Sequence, residues 1–363
     1  MSHSNSVTSN KTFIFSFSLR KNILSILFVT FTICLVFFSN SNLVAAKKGL
    51  TLWANNVVPA LFPFFVATEL LSYTNVCEKL SRLLEKIMRP IFNVPGNGAY
   101  AFILGLISGY PVGAKIVTSL RNSNKCSKNE GNRMLAFTNN SGPLFVIGTV
   151  GITLFKSSTI GILLLVTHIL ASITVGIILG IISRFKFKFK YTVENISNSG
   201  YTSFNSKQCN LSNLGEVLGN SILSAIKTIL VIGGFVVLFS VIISILNTSN
   251  LLSICAYTLQ PIFKLFNIDI SFIKPILTGL LELTNGVSLV SGVPCKALTT
   301  NIVLCAFLLG FGGLSVLLQV LSIISKSDLS IKTYLFAKLL QGIIAGTYTY
   351  ILISNFGFFN FNI

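Results

Sequence analysis

Apolar runs of membrane length alternate along this chain with short polar stretches, and the runs are of two kinds. Ile23 to Phe38, Gly49 to Leu71, Thr159 to Ile182, Val217 to Leu246 and Tyr334 to Ile353 each read as one transmembrane helix. The others carry residues that stop a helix midway. Ala99 to Leu120 contains Ser108-Gly109-Tyr110-Pro111-Val112-Gly113-Ala114-Lys115, where the glycines are poor helix formers and Pro111 lacks an N–H and biases Tyr110 away from the α region. Met134 to Phe155 is interrupted at Thr138-Asn139-Asn140-Ser141-Gly142-Pro143, Phe272 to Cys295 around Gly279-Leu280-Leu281-Glu282-Leu283-Thr284-Asn285-Gly286, and Asn301 to Ile324 at Gly310-Phe311-Gly312-Gly313. In hydrocarbon each unpaired backbone group costs several kcal/mol. A broken segment therefore survives only where other protein covers it or where it lines a wet cavity.

The second half of the chain repeats the order of the first. Pro90-Ile91-Phe92 recurs as Pro261-Ile262-Phe263, Gly105-Leu106 as Gly279-Leu280, and Ala136-Phe137 as Ala306-Phe307, at nearly constant separation. Val76 to Phe92 alternates Glu78, Lys79, Arg82, Glu85, Lys86 and Arg89 with apolar residues at helical spacing, the pattern of a helix lying in the interface, and Leu251 to Phe266 is its shorter counterpart. If the broken segment after each interfacial helix is re-entrant, each repeat crosses three times and the second is inverted. The prediction is an all-α polytopic membrane protein of about seven spans plus two re-entrant or broken helical segments in an inverted repeat, the architecture of secondary transporters. Its parts are a disordered cytoplasmic leader (1–21), an N-terminal transmembrane anchor (22–48), a first repeat (49–184), a basic cytoplasmic linker (185–215), a second repeat (216–355) and a tail (356–363). Val44-Ala45-Ala46 has the form of a signal-peptidase site, but an uncleaved anchor is expected because further spans follow at once.

Composition supports the membrane assignment: of 363 residues, 52% are hydrophobic and 10% charged, with a mean hydropathy of +0.80. No ordinary soluble domain has this balance. The net charge of +18 comes from 27 Lys and Arg against 9 Asp and Glu. Much of it lies in Arg121 to Arg133, Arg184 to Lys207 and Lys326 to Lys332, which the positive-inside rule places in the cytoplasm together with the N-terminus; Lys47-Lys48 is the exception. Such loops face anionic headgroups, so a lipid bilayer is the expected partner and nucleic acid is not. Seven cysteines without metal-ligand spacing predict neither a disulfide framework, nor a metal site, nor a cofactor. His168 stands alone in an apolar run and reads as a helix-packing hydrogen bonder. With no Walker A run, nucleophile elbow, HExxH or Rossmann fingerprint, enzymatic activity is not expected.

Charges inside apolar segments default to function. Glu69 and Glu282 are the acidic residues well inside, and Lys115, Lys227 and Lys296 are the basic residues nearest to such depth. The breaks have two readings, packing kinks or a midplane site. In the second, helix N-termini offer N–H groups to an anion and unwound carbonyls hold a cation. The substrate-binding candidates are then Ser108, Gly109, Tyr110, Pro111, Gly113, Lys115, Asn139, Asn140, Ser141, Thr284 and Asn285. Glu282 and Glu69 are the candidates for proton or ion coupling, Glu282 also as a partner for Lys115.

Four stretches in fixed order carry a family resemblance: Asn56-x-x-Pro59-x-Leu61-x-Pro63-Phe64-Phe65, Arg89-Pro90-x-Phe92-Asn93-Val94-Pro95-Gly96, Ser108-Gly109-Tyr110-Pro111-x-Gly113-Ala114-Lys115, and Phe137-Thr138-Asn139-Asn140-Ser141-Gly142-Pro143-Leu144-Phe145. From Ala46 to about Gly346 the chain resembles the sporulation integral membrane protein YlbJ family of the nucleoside recognition (Gate) group. The resemblance implies a multi-pass protein of the outer forespore membrane in an endospore former, and movement of dipicolinic acid as the family's proposed activity. Dipicolinate is a flat dianion. Helix N-termini, Asn amides and Lys115 suit its carboxylates better than they suit an uncharged nucleoside. The alternatives are a non-transporting scaffold for spore maturation, with the breaks as packing devices, and a nucleoside or ion carrier of the Gate group. The sequence leaves open a homo-oligomer or contact with other sporulation membrane proteins.

Overall fold

The computed structural model describes residues 6–187, 211–265, 267–294 and 298–355, and all regular elements among them are helical. Lys296, most of the basic linker and the tail lie outside the described residues. Helix α1 (Ser6–Phe37) leads into α2 (Ser39–Leu52), which passes through a π-helical turn at Trp53–Val57 into α3 (Val58–Ser72). Pro59 stands in the first turn of α3, where a missing N–H costs little. The leader expected to be disordered is helical from Ser6, because extending a helix from an apolar segment avoids the cost of a new nucleus.

The amphipathic α4 (Val76–Phe92) ends at Asn93, which takes the left-handed conformation (φ 55°, ψ 42°). After this turn α5 (Asn97–Ser108) leaves at 91° to α4. Following the break, α6 (Val112–Asn122) runs back toward the end from which α5 came. At that end Arg133 donates to Ser183 Oγ at 2.8 Å and to the Asn93 carbonyl, while Arg121 reaches the Cys126 carbonyl and Asp328, both at 2.9 Å. The α5–α6 pair is therefore a re-entrant hairpin. Helix α7 (Lys128–Thr138) starts from a Ser127/Glu130 capping box, and Glu130 also pairs with Arg89 at 2.6 Å. Past residues 139–143 the chain continues as a π-helical segment, Leu144–Leu154, and then as α8 (Ser158–Phe187).

The second half contains α9 (Leu214–Thr248), α10 (Leu251–Leu265), α11 (Ile273–Leu281), α12 (Leu283–Ser291), α13 (Leu298–Phe311), α14 (Gly313–Ile324) and α15 (Ile331–Asn355). Element for element, α3 corresponds to α9, α4 to α10, α5 and α6 to α11 and α12, α7 and Leu144–Leu154 to α13 and α14, and α8 to α15. Packing follows the same correspondence. Counterparts touch each other, α3 on α9 and α8 on α15; α7 on α15 is mirrored by α13 on α8, and α6 on α14 by α12 on Leu144–Leu154. Such reciprocity is the mark of a two-fold relation, here between halves of one chain. Helix α9 has 35 residues, about 50 Å at 1.5 Å per residue. Its ends lie on opposite sides, and the second hairpin enters from the side opposite the first.

Among the described residues five helices are long and apolar enough to span a membrane, or six if the bent α4–α5 pair counts as one, against the seven expected. The difference has two sources. The apolar part of α1, Asn22–Phe37, is short, and the Met134 to Phe155 run is divided by residues 139–143 into pieces too short to span alone. The basic loops do gather at one end. Beyond the Arg121–Asp328 pair, Asn122 Nδ2 donates to the Lys326 carbonyl at 3.4 Å, the Ser330 N–H donates to Asn132 Oδ1 at 2.8 Å, and Arg184 donates to the Pro90 carbonyl.

Candidate functional site

The four helix breaks meet at the seam between the repeats. Gly109 has φ +78°, and a Cβ there would lie 2.8 Å from the Gly142 nitrogen, so the first hairpin break and the α7 break touch through backbone alone. The second repeat does the same: a Cβ on Gly313 (φ +82°) would lie 3.0 Å from the Gly279 carbonyl and 3.3 Å from the Leu283 nitrogen. Tyr110 joins the two halves. Its hydroxyl donates to the Leu309 carbonyl at 3.4 Å and stands against Gly312. Between them lies a cavity of about 70 Å³ whose polar lining is Asn56, Tyr110, Ser141, Glu282, Thr284, Ser315 and Gln319.

Behind Tyr110 is a buried polar network. Asn139 Oδ1 accepts from the Ala114 N–H at 3.3 Å, tying down the start of α6, and Asn139 Nδ2 donates to the Tyr334 hydroxyl at 2.8 Å. Asn140 Nδ2 donates to the Phe137 carbonyl at 2.7 Å, and its Oδ1 accepts from Gln341 Nε2 at 2.9 Å. Lys338 is fully buried; its Nζ donates to Gln341 Oε1 at 2.7 Å, to Asn140 Oδ1 at 3.4 Å and to the Asn139 carbonyl. The rings of Tyr110 and Tyr334 face Nζ at 5.3 and 5.7 Å. The Ser141 N–H donates to His168 Nε2 at 3.2 Å, which puts the ring proton on Nδ1. The amides expected to meet a ligand are thus engaged by protein in this state. Two Asn side chains in a broken helix have backbone and polar partners within a few ångströms, and burial demands that they take them.

Lys115 occupies a second cavity, of about 110 Å³, between α3, α5, α6 and α9. Its Nζ pairs with Glu69 at 2.8 Å and donates to Ser224 Oγ at 2.7 Å, with the side chains 42% and 26% exposed. The alternative pairing of Lys115 with Glu282 does not occur. Glu282, buried in an extended linker residue (φ −142°, ψ 120°), folds back to cap α12, accepting from the N–H groups of Thr284 at 3.0 Å and Asn285 at 2.7 Å. Capping satisfies a carboxylate and two orphan helix donors locally. Asn285 Nδ2 reaches Ser240 at 3.4 Å, Ser108 bonds Thr68, and Gly113 packs on the Thr138 carbonyl. Pro111 is the N-cap of α6 and follows a cis Tyr110–Pro111 peptide.

A family model described as nucleoside recognition (Gate) matches residues 54–185 and 229–327, most of each repeat. Over 331 residues the chain is 34% identical to the sporulation integral membrane protein YlbJ of Bacillus subtilis (strain 168), an alignment covering 90% of this chain and 80% of that protein. The chain belongs to the YlbJ family. No solved structure matches it.

In this YlbJ-family chain the structure brings Gly109, Tyr110, Ser141, Glu282 and Thr284 to one cavity and sends Lys115 and Glu69 to another. Lys338 and Gln341 were not among the sequence candidates, because α15 reads as an ordinary span. The signal was present as a stripe: Tyr334, Lys338, Gln341 and Thr349 fall on one buried face of that helix. The Gate match ends before α15.

Proposed function

We propose that this chain is a membrane transporter of a small organic anion in spore development, with dipicolinate as substrate, the outer forespore membrane as its location and the N-terminus in the cytoplasm. The observation that carries the reading is the meeting of four helix breaks on one cavity at the seam of two inverted repeats, the arrangement by which transporters expose a midplane site to either side. A packing scaffold has no need of four coincident breaks in hydrocarbon. The relative's name supports the sporulation role, and the Lys115 cavity supplies a half-exposed cation on the side of the basic loops. Purified protein in liposomes tests the proposal. Dipicolinate should accumulate in loaded vesicles, and should stabilise detergent-solubilised protein by ~2.7 kcal/mol at a hundredfold excess over Kd. The Gate description favours a nucleoside as the second reading. Stabilisation by nucleosides with no response to dipicolinate would select it, and indifference to both would select the scaffold.

A further inference from the structure

Among the described residues Lys338 is the most deeply buried cation, and its surroundings hold no counter-charge. Its partners are three neutral oxygens, of the Asn139 carbonyl, Asn140 and Gln341, and two tyrosine ring faces. An ammonium has three N–H donors and no acceptor, whereas a neutral amine has a lone pair to satisfy. Three acceptors and two ring faces therefore suit the ammonium. No carboxylate among the described residues lies within ion-pairing distance of it. Glu282, across the cavity, spends its two oxygens on Thr284 and Asn285. A buried charge without a partner is costly, and apolar replacement of such groups is often neutral or stabilising. Charges kept at this depth default to function.

Only one layer separates Lys338 from the inter-repeat cavity. Tyr110 and Ser141 line that cavity, and Lys338 bonds to the two residues that precede Ser141 while facing the Tyr110 ring. Tyr110 itself is held across the seam by a long 3.4 Å bond to Leu309, a contact that separates if the repeats move apart. We infer that Lys338 binds a carboxylate of the transported anion. Displacement of Tyr110 opens the cavity to Nζ, and the carboxylate replaces the neutral oxygens that hold it in the closed state. Gln341 Nε2 stands beside it as a neutral donor, and the Tyr110 and Tyr334 rings offer flat faces, so the geometry fits a planar aromatic acid. This assignment rests on the anion-transport reading.

The test uses full-length protein, dipicolinate and its neutral diamide as probes, with thermal shift and proteoliposome uptake as readouts. Wild type should prefer the acid over the diamide by roughly thirtyfold or more, and Lys338→Met should lose both the preference and the uptake. Without ligand the Met variant should fold and melt only modestly lower than wild type, since it leaves neutral acceptors such as Gln341 Oε1 unfilled but breaks no ion pair. Lys338→Arg should keep a weakened preference, its planar fork being a poor copy of a compact ammonium. A folded Lys338→Met protein that prefers the acid as wild type does overturns the inference and leaves the transport reading standing. A wild type that neither binds nor moves dipicolinate ends both. If Lys338→Met does not fold, the premise of an unbalanced charge is wrong, and Lys338→Gln then decides the affinity question by the same acid-to-diamide ratio.

Discussion

In the first repeat the start of the returning helix, α6, is tied by a neutral amide, with Asn139 accepting from the Ala114 N–H at 3.3 Å. In the second repeat the start of α12 is tied by a carboxylate, with Glu282 accepting at 3.0 and 2.7 Å. The backbones around them match: each hairpin closes through a glycine pair, Gly105 against Gly113 and Gly279 against Gly286, and each break seats against a second break through Gly109 or Gly313. What differs is the charge. The second repeat supplies both the buried carboxylate and, through α15, the buried Lys338, which reaches across to the break of the first. Backbone symmetry thus builds a shared cavity, and side-chain asymmetry gives its two walls different chemistry.

The largest effects should come from the shared backbone. A Cβ at Gly286 would lie 1.9 Å from the Gly279 Cα, and one at Gly105 1.9 Å from the Thr138 carbonyl oxygen. Neither site has a flexible side chain to yield, so Gly286→Ala and Gly105→Ala should each destabilise by about 3 kcal/mol or more, read as a fall in melting temperature and in yield of monodisperse protein. Equal losses support equivalent hairpins, and a harmless substitution at either position would break the comparison. The next effect separates the walls. Glu282→Gln leaves one acceptor for two helix donors and removes the charge, at a cost of about 1–2 kcal/mol. Asn139→Ala strands the Ala114 N–H and the Tyr334 hydroxyl, at a cost of about 1–3 kcal/mol.

Smaller effects belong to the partly exposed pairs. The Lys115–Glu69 pair is only part-buried, so Lys115→Ala should lower stability by about 1 kcal/mol and should reduce uptake less than Lys338→Met does. The weakest is the contact between the two basic loops. Arg121 holds the Asp328 carboxyl below the ordinary carboxylate range through hydrogen bonding and charge. A depressed folded value means that the stabilisation is fully present above the unfolded value of about 3.9 and is lost as pH falls through the folded one. Wild type should therefore lose slightly more stability than Asp328→Asn between pH 5 and the acid limit, in melts compared across that range.

The breaks, their repetition and the interfacial helix were legible in the sequence because Gly, Pro, Asn and charge at helical spacing are local signals with local causes. The Glu282 cap is local too, with its donors two and three residues ahead, but Glu is an uncommon capping residue and a buried carboxylate invites a search for a cation. The pairing of Lys115 with Glu69 depends on α3 and α6 facing one cavity, which no local pattern encodes. Lys338 escaped for a different reason. Its helix is apolar enough overall to pass as a plain span, and only the alignment of Tyr334, Lys338 and Gln341 on one face shows that the face is polar.

If transport requires the repeats to part at the seam, joining them at the basic end should stop it. Asn122 and Lys326 approach there, Nδ2 to carbonyl at 3.4 Å, one on each repeat. In a background lacking the seven native cysteines, Asn122→Cys with Lys326→Cys should form a disulfide on oxidation. Dipicolinate uptake by the oxidised protein should then fall to the level of empty vesicles and return on reduction. Uptake at the full rate by a quantitatively cross-linked protein would contradict the account.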